Sequence, residues 1–348
     1  MQRLAAWVWS DRSLLARMTR LVLIPGSWAY RGAAAVKVKA HARGWLPTHI
    51  PSVPTIAVGN LTVGGSGKTP IASWIADYFA SQGIRPGVVL RGYGGDEGEV
   101  HRLRVPEAIV VENPDRMAGA ESAVGRGAQV VVLDDAYQRL DVGRDLNIAV
   151  ISAESSRAAR WTLPAGPWRE PWTALRRADI VIVTRKRATP EAAIEVLRHV
   201  RDVVPGMRTA AARLALTGFQ RLRSGAPVPA RELDRARVVV GAGIADPHTF
   251  GRQCEELGAR VRLLPFPDHH AFTARDVRRL LHAAGAVDYV VVTQKDAVKL
   301  RRQWPDGSPE PLVAVLDVIW EAGQSVVETA LDAAASDITG FFAPESNP

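Results

Sequence analysis

Short apolar runs alternate with amphipathic segments along the chain from residue 53 onward. Because nearly every position in these runs is apolar, they are predicted to be strands buried on both faces, as in a parallel sheet covered by helices. The predicted strands are 55–58, 87–90, 108–111, 130–133, 148–151, 180–183, 238–240, 261–264, 289–292 and 313–316. The helical patterns between them are 70–81, 115–124, 190–203, 247–257 and 273–284. The alternation predicts an α/β protein with a doubly wound, mostly parallel sheet.

The composition is that of a large folded protein. The 348 residues are 47% hydrophobic and 23% charged, so the chain can bury a sizeable core and is long enough for two domains. Cys254 is the single cysteine, which excludes an intrachain disulfide and a zinc cluster built on cysteines. A reducing compartment fits this cysteine content.

Positive charge is concentrated at the N-terminus. Residues 1–50 contain eight Lys/Arg and one acid, Asp11, so they carry +7 of the chain's formal +8. An apolar stripe shares one arc of a predicted helix there, formed by Leu14, Leu15, Met18, Leu21 and Val22. Basic residues opposite such a stripe are typical of a peripheral helix lying in an anionic membrane surface. The alternative is a basic amphipathic helix docked on its own domain.

Two other interpretations of the N-terminal segment are disfavoured. No uninterrupted apolar run reaches the roughly 18 residues of a spanning helix, and Asp11, Arg12, Arg17 and Arg20 interrupt the pattern of a secretory signal. Nucleic acid is not a predicted partner, because the rest of the chain is nearly neutral and this segment alternates charge with bulky apolar groups.

A glycine-rich turn follows the first predicted strand, in the sequence Gly59-Asn60-Leu61-Thr62-Val63-Gly64-Gly65-Ser66-Gly67-Lys68-Thr69-Pro70. Such a turn directs backbone N–H groups into a concavity at a helix N-terminus, where it binds the phosphates of a nucleotide. Thr62 stands where the general pattern has glycine. The predicted nucleotide-binding residues are Thr62, Val63, Gly64, Gly65, Ser66, Gly67, Lys68 and Thr69, with Lys68 reaching the β/γ-phosphates and Thr69 Oγ1 binding Mg²⁺. The alternative is a glycine-rich turn without a ligand.

Two carboxylates, Asp134 and Asp135, follow the apolar run 130–133. Ligands of open α/β sheets bind beyond the carboxyl ends of the strands, and an Asp at this edge of a phosphate-loop protein helps to hold Mg²⁺. The two acids are therefore predicted metal ligands. Paired acids at a strand end also cap following helices, and this is the alternative.

The sequence Asp268-His269-His270 is a third candidate for chemistry. A histidine beside an acid can accept or relay a proton near neutral pH. Adjacent histidines diverge on a helix, so the spacing does not fit a two-histidine metal site on one helical face. A surface turn and a structural histidine are the alternatives.

Taken in order, these and further motifs resemble one family. The motifs are the loop at 59–70, Arg91-Gly92-Tyr93-Gly94-Gly95, Asp134-Asp135-Ala136-Tyr137-Gln138 with Arg144-Asp145-Leu146, Leu163-Pro164-Ala165-Gly166-Pro167-Trp168-Arg169-Glu170-Pro171, Gly241-Ala242-Gly243-Ile244-Ala245-Asp246-Pro247, Phe266-Pro267-Asp268-His269-His270, and Thr293-Gln294-Lys295-Asp296-Ala297-Val298-Lys299. Across nearly the whole chain they resemble the tetraacyldisaccharide 4'-kinases. The resemblance implies ATP-dependent phosphorylation of the 4'-hydroxyl of an acylated glucosamine disaccharide 1-phosphate lipid. It also implies a peripheral enzyme at the cytoplasmic face of the bacterial inner membrane.

The resemblance also implies roles for residues. In Gly95-Asp96-Glu97, Asp96 is expected to be the general base or to orient the hydroxyl, with His269 as its partner, and Glu97 is expected to join Thr69, Asp134 and Asp135 at Mg²⁺. Arg91 and Arg169 are candidates for phosphate contacts, with surface ion pairs as the alternative. The chain departs from the family pattern in a shortened segment before Asp96 and at four positions, which are Ala136, Tyr137, Arg139 and Gln294.

The expected organisation is a membrane-associating segment at 1–45, a phosphate-loop kinase domain at 46–229, a smaller α/β domain at 230–341 and a disordered tail at 342–348. The chain is expected to act as a monomer. Two other classes share the loop. A switch ATPase of the partition or metallochaperone type commonly has a lysine immediately before the glycine pair, where this chain has Val63. A GTPase needs an Asn/Thr-Lys-x-Asp motif, and Thr293-Gln294-Lys295-Asp296 has a different order.

Overall fold

The computed structural model of the chain describes residues 5, 7–9, 11, 13–92, 96–154 and 161–336. Its contacts divide the chain into two compact units. The first unit comprises Met1–Arg91, Glu107–Arg213 and Trp320–Pro348, and the second comprises Gly92–Pro106 and Leu214–Ile319. The predicted disordered tail at 342–348, Gly95 of the Gly-Asp-Glu sequence and the basic residues Arg3 and Arg12 lie outside the described residues.

The elements alternate as an α/β protein requires. The strands are β1 Thr55–Gly59, β2 Pro86–Leu90, β3 Ile109–Glu112, β4 Val130–Asp134, β5 Leu146–Ser152, β6 Ile180–Arg185, β7 Arg208–Arg221, β8 Pro227–Pro229, β9 Arg237–Ala242, β10 Arg260–Pro265, β11 Tyr289–Val292 and β12 Leu312–Ala322. The helices are α1 Leu14–Ala42, α2 Lys68–Ser81, α3 Glu97–Arg104, α4 Arg116–Gly125, α5 Pro190–Val203, α6 Pro247–Glu256, α7 Ala274–Ala284, α8 Gln294–Leu300 and α9 Gln324–Ala334.

The first unit contains a parallel sheet in the order β7-β6-β5-β1-β4-β2-β3. All five residues of β1 are buried, as are all five of β4, which explains their uninterrupted apolar runs. Strand β1 pairs with β4 on one side and with β5 on the other. The sheet order reverses at this point, where open α/β sheets bind their ligands beyond the carboxyl ends of the strands.

The second unit contains the parallel strands β10-β9-β11-β12, with the second part of β7 next to β12 and the short antiparallel β8 against β7. Three of its helices begin at side-chain caps. Asp246 caps α6, Thr293 caps α8, and Thr273 forms a capping box with Asp276 at α7. Apolar side chains of α6, α7 and α8 pack with those of the strands in two buried clusters.

The described residues 96–106 pack with the second unit although they precede β3 of the first unit in the sequence. The reason is visible in helix α3, which packs against α8. Glu97 Oε1 lies 2.7 Å from Lys295 Nζ, and Arg104 Nε donates to Gln294 Oε1 at 2.9 Å. Asp96 and His269 therefore belong to the same unit, whereas the linear division of the sequence placed them in different domains.

Each predicted strand and helix coincides with an observed element, with shifted ends. Strands β7 and β8 and helices α3, α8 and α9 were not predicted. In β7 buried and exposed residues are mixed, so this strand lacks the continuous apolar run that marked the others. Helix α3, with the sequence EGEVHRLR, is short and highly charged, so its sequence carries no apolar periodicity.

Helix α1 belongs to the first unit, and only two of its residues are buried. Ser27 is buried and its Oγ donates to Thr162 O at 2.8 Å, while Ala16 is the other buried residue of the helix. The predicted apolar stripe remains at the surface: Leu14, Leu15, Met18, Leu21 and Val22 are 56–79% exposed. The stripe is therefore not docked on the described part of the chain. No helix among the described residues is long and apolar enough to cross a membrane.

Candidate functional site

The phosphate loop connects the buried end of β1 to the start of α2. Gly64 and Gly67 have φ values of +119° and +87°, which only glycine adopts without strain. Thr62, by contrast, is buried and forms an antiparallel bridge with Trp168. Its backbone is therefore held by a second segment, which explains how threonine is accommodated where the general loop pattern has glycine.

Hydrogen bonds from polar side chains hold the loop in its conformation. Asn60 is fully buried, and its Nδ2 donates to Ser66 Oγ at 2.8 Å across the loop. Gln138 Nε2 donates to the Asn60 carbonyl at 2.8 Å. Thr184 at the end of β6 donates from Oγ1 to Ser66 O at 2.7 Å. These contacts preorganise the loop before any nucleotide binds.

Lys68 and Thr69 open helix α2, directly after the left-handed Gly67. Lys68 Nζ lies 3.5 Å from Asp135 Oδ1. Arg169 Nη1 binds the same carboxylate at 2.9 Å. The predicted lysine and the predicted carboxylate pair are thus brought together at one edge of the sheet, and Arg169, a candidate phosphate contact, joins them through Asp135.

Asp134 and Asp135 differ in their surroundings. Asp134 ends β4, is 2% exposed and pairs in register with Val58 of β1. Asp135 is half-buried and adopts a left-handed backbone with φ of +54°. Burial raises the pKa of Asp135, but the charges of Lys68 and Arg169 outweigh it and hold that pKa below the usual value. This carboxylate is therefore ionised at neutral pH.

The donor set at this edge fits Mg²⁺. Thr69 offers a hydroxyl, and Asp134 and Asp135 offer carboxylate oxygens, which are the hard oxygen ligands that Mg²⁺ takes alongside substrate phosphates. Among the described residues no group of three or more His, Cys, Asp or Glu side chains forms a metal site by itself.

The second unit holds a buried carboxylate, Asp96, which is 1% exposed. Its Oδ2 atom lies 3.0 Å from Lys299 Nζ and 3.1 Å from His269 Nδ1. Its Oδ1 atom is buried and has no hydrogen-bond partner among the described residues. The carboxylate thus has one oxygen in contact with the ammonium group of Lys299 and the imidazole of His269, and the other without a hydrogen-bond partner among the described residues.

The charge state of Asp96 follows from these neighbours. Burial raises its pKa, but the hydrogen bond from Lys299 and the charges of Lys295, Lys299 and His269 outweigh burial, so the pKa lies below the usual value. Asp96 is ionised at neutral pH. Because a carboxylate only accepts hydrogen bonds, Nδ1 of His269 is assigned as the protonated nitrogen.

The backbone of His269 is held by a chain of hydrogen bonds. Its φ is +56°, and its N–H donates to Gly243 O at 3.1 Å. The N–H of Gly243 in turn donates to Asp296 Oδ2 at 3.1 Å. Asp296 is fully buried, and burial raises its pKa. A side chain at residue 243 would lie 2.9 Å from Asp296 Oδ1, so glycine is required for this close approach.

Glu97, expected at Mg²⁺, forms an ion pair with Lys295 at 2.7 Å in the second unit. Thr69, Asp134 and Asp135 belong to the first unit. Gln294, where the family usually has Glu, accepts a hydrogen bond from Arg104. An amide oxygen suffices for this contact, so the structural role of position 294 does not require a charge.

The other departures from the family pattern are accommodated in the first unit. Tyr137, where the family usually has Phe, is fully buried, and its hydroxyl, the one polar atom that it adds, donates to Ala174 O at 2.6 Å. Ala136 is buried, and its carbonyl accepts from Arg144 Nη1 at 3.1 Å. Arg139 forms an ion pair with Asp141 at 2.7 Å.

Sequence reasoning missed Lys299 and Asp296 as members of the Asp96 cluster. Both lie in the sequence Thr293–Lys299. The only signal in the sequence was the spacing of the two lysines in it. Lys295 and Lys299 are four residues apart and therefore share one face of α8. Nothing in the sequence indicated that this face would meet the acids at 96 and 97.

Comparison with known proteins identifies the family of the chain. The profile of the family described as LpxK, tetraacyldisaccharide-1-P 4'-kinase, matches residues 19–107 and 95–336. The tetraacyldisaccharide 4'-kinase of Anaeromyxobacter dehalogenans strain 2CP-1 is 36% identical over 363 residues, covering 95% of this chain and 94% of that protein. The enzyme of the same name from Geobacter sulfurreducens is 36% identical over 310 residues, covering 82% and 85%.

A solved structure gives the same result for the fold. The crystal structure of LpxK from Aquifex aeolicus, described as an "apo" form in complex with ATP, superposes with a TM-score of 0.72 at 25% identity, covering 91% of this chain and 99% of that one. Profile, sequence relatives and structure agree over nearly the whole length of the chain. The chain therefore belongs to the tetraacyldisaccharide 4'-kinase family, and it is a phosphotransferase of lipid A biosynthesis.

Proposed function

We propose that the chain uses Mg²⁺ and ATP to phosphorylate the 4'-hydroxyl of its acylated disaccharide 1-phosphate, with the roles of individual residues as follows. The loop from Thr62 to Gly67 and the ammonium group of Lys68 bind the phosphates. This role is supported by the preorganised loop and by the position of Lys68 at the N-terminus of α2.

Thr69, Asp134 and Asp135 would hold Mg²⁺. When bound, the metal neutralises negative charge on the phosphates during transfer. Lys68 and Arg169 share the Asp135 carboxylate, so either cation can turn to the nucleotide while the other keeps Asp135 compensated. Glu97 also remains a proposed ligand of Mg²⁺. The metal would then replace Lys295 as the partner of the Glu97 carboxylate.

The observation that carries the proposed chemistry is the Oδ1 atom of Asp96. A sugar hydroxyl is too weak an acid to ionise before it attacks, so a base accepts its proton as the bond to phosphorus forms. Asp96 is buried and ionised, and Oδ1 has no hydrogen-bond partner among the residues that the structure describes. We assign this atom as the proton acceptor.

His269 and Lys299 act as positioning residues for this base. Both contact Oδ2, which fixes the carboxylate plane and leaves Oδ1 to the substrate. Their positive and polar atoms also stabilise the buried charge, which by itself would be costly. The low pKa makes Asp96 a weak base at rest, which suits a proton transfer that occurs late, when the hydroxyl has become strongly acidic.

The lipid acceptor requires access to a membrane surface, and helix α1 supplies a surface for it. Its exposed apolar stripe lies on a helix that also carries Arg17, Arg31, Lys37 and Lys39. Burial of apolar side chains and attraction to anionic lipid act together on such a helix. We propose that α1 lies in the cytoplasmic surface of the inner membrane and presents the enzyme to its substrate.

The test is direct. The purified full chain is incubated with ATP, Mg²⁺ and the acylated disaccharide 1-phosphate, and mass spectrometry is used to detect one added phosphate. We expect addition that depends on both ATP and Mg²⁺ and that fails in Asp96→Asn. Phosphorylation that proceeds unchanged with Mg²⁺ chelated contradicts the metal assignment, and full activity in Asp96→Asn contradicts the assignment of the base.

A further inference from the structure

A second ammonium group lies against the phosphate loop. Lys186 follows strand β6, is half-buried and donates from Nζ to Gly65 O at 3.3 Å. It stands 121 residues from Gly65 in the sequence. The loop's own sequence has Val63 before the glycine pair, so Lys186 adds a cation to the one that Lys68 supplies.

The sheet explains why Lys186 reaches the loop. Strand β6 pairs in parallel with β5, and β5 pairs in parallel with β1. Their carboxyl ends therefore share one edge, and the residues that follow β1 and β6 emerge there together. Thr184 and Lys186 take the successive carbonyls of Ser66 and Gly65, so the end of β6 holds the loop at two adjacent positions.

Glu154 fixes the backbone that carries Lys186. Its Oε1 atom accepts hydrogen bonds from the backbone N–H groups of Lys186, Arg187 and Ala188 at 2.6, 2.8 and 3.0 Å. Its Oε2 atom accepts from Ser152 Oγ at 2.7 Å. A carboxylate with four hydrogen bonds holds the start of this segment rigidly, and the ammonium group of Lys186 is therefore presented at a defined place.

The ammonium group of Lys186 also lies beside the Cα atom of Gly65. A Cβ atom at that position would lie 3.6 Å from Lys186 Nζ, which is an ordinary contact distance. Lys68 already forms an ion pair with Asp135. Two lysines from different elements thus contact the loop or the carboxylate beside it.

We propose that Lys186 is a further binding residue for the nucleotide. When a nucleoside triphosphate binds, the ammonium group of Lys186 contacts an oxygen of the triphosphate in place of, or together with, the Gly65 carbonyl. This rests on the proposed binding of ATP by the loop and extends it to a residue outside the loop. The contact is made by ground state and transition state alike, so it acts on nucleotide affinity rather than on the chemical step.

The experiment measures binding of ATP and ADP to the full chain by isothermal titration calorimetry, without the lipid acceptor. Lys186→Met, Lys186→Gln and Lys186→Arg are compared with the natural chain. Arg187→Met is the matched control, because its backbone N–H binds Glu154 in the same way while its side chain is exposed. Thermal unfolding shows that each variant is folded. Lys68→Ala reports separately on the loop assignment.

We expect Lys186→Met and Lys186→Gln to weaken ATP and ADP binding by about tenfold or more, as for loss of a charged hydrogen bond. Lys186→Arg should restore most of the affinity, Arg187→Met should change it little, and Lys186→Met should raise KM for ATP with kcat nearly unchanged. Rescue by Gln overturns the proposal, because an amide can still hold the Gly65 carbonyl without a charge. Unchanged affinity in Lys186→Met also overturns it. If Lys68→Ala binds ATP normally as well, the loop assignment itself is wrong.

Discussion

His269 Nδ1 lies 3.1 Å from Oδ2 of Asp96, although 173 residues separate the two in the sequence. The contact joins the Gly-Asp-Glu sequence to the Asp-His-His sequence within one unit. Lys299 forms an ion pair with the same oxygen, so two side chains contact one side of the carboxylate.

Asp96→Asn should lower kcat by about 10² or more, in line with general-base contributions, while KM for ATP stays near its natural value. His269→Ala should cause a smaller loss, because Lys299 still holds Oδ2. The double variant should be little worse than Asp96→Asn, since residues that act as one unit are strongly non-additive. Steady-state kinetics of the three variants measure this. Losses that multiply would mean that His269 acts independently of Asp96.

Lys68→Ala should abolish measurable phosphate transfer, because this ammonium is proposed to follow the γ-phosphate during the reaction. Folding should survive, since the ion pair with Asp135 is half-buried and Arg169 continues to compensate that carboxylate. Initial rates and thermal unfolding are measured together. Transfer above one-tenth of the natural rate, a threshold on the order of 1.4 kcal/mol, contradicts the role of Lys68.

The double substitution Met18→Glu with Leu21→Glu in the exposed stripe should reduce binding to vesicles of anionic phospholipid by tenfold or more. Each change removes apolar burial in the interface, worth about 1.5–3 kcal/mol for a fully buried side chain, and adds repulsion from the lipid charge. Ile194→Glu is the control, because Ile194 is 53% exposed on α5 outside the stripe. Flotation of the vesicles gives the bound fraction. Equal binding by all variants would place membrane contact elsewhere.

Glu154→Gln should lower the unfolding temperature at pH 7. Burial raises the pKa of Glu154, but its four hydrogen bonds outweigh burial and lower that pKa from 4.5 to about 2. A depressed folded-state pKa stabilises the protein above the unfolded value, and this contribution is lost as the pH falls from about 4.5 toward 2. The difference between the two proteins in unfolding temperature should therefore shrink between pH 5 and pH 3. A difference that stays constant over this range contradicts the assignment.

Much of the architecture follows from local sequence. Uninterrupted apolar runs such as 130–133 predict buried parallel strands, because burial on both faces leaves no polar positions. The phosphate loop is equally local, since its glycines, Lys68 and Thr69 lie within one turn between a strand and a helix. Asp134 and Asp135 were predicted as metal ligands because ligands of open α/β sheets bind beyond the carboxyl ends of the strands.

The sequence by itself determined the class of fold, the phosphate loop and, through resemblance, the pairing of Asp96 with His269. Only the tertiary structure decided that Lys299 and Asp296 join that pair, that residues 96–106 pack with the second unit, and that Lys186 reaches Gly65. The apolar stripe of α1 could be predicted, but its exposure could not. The physical reason is that burial of a run is encoded in neighbouring residues, whereas contacts between distant charges depend on how the backbone brings separate strand ends and helix faces together.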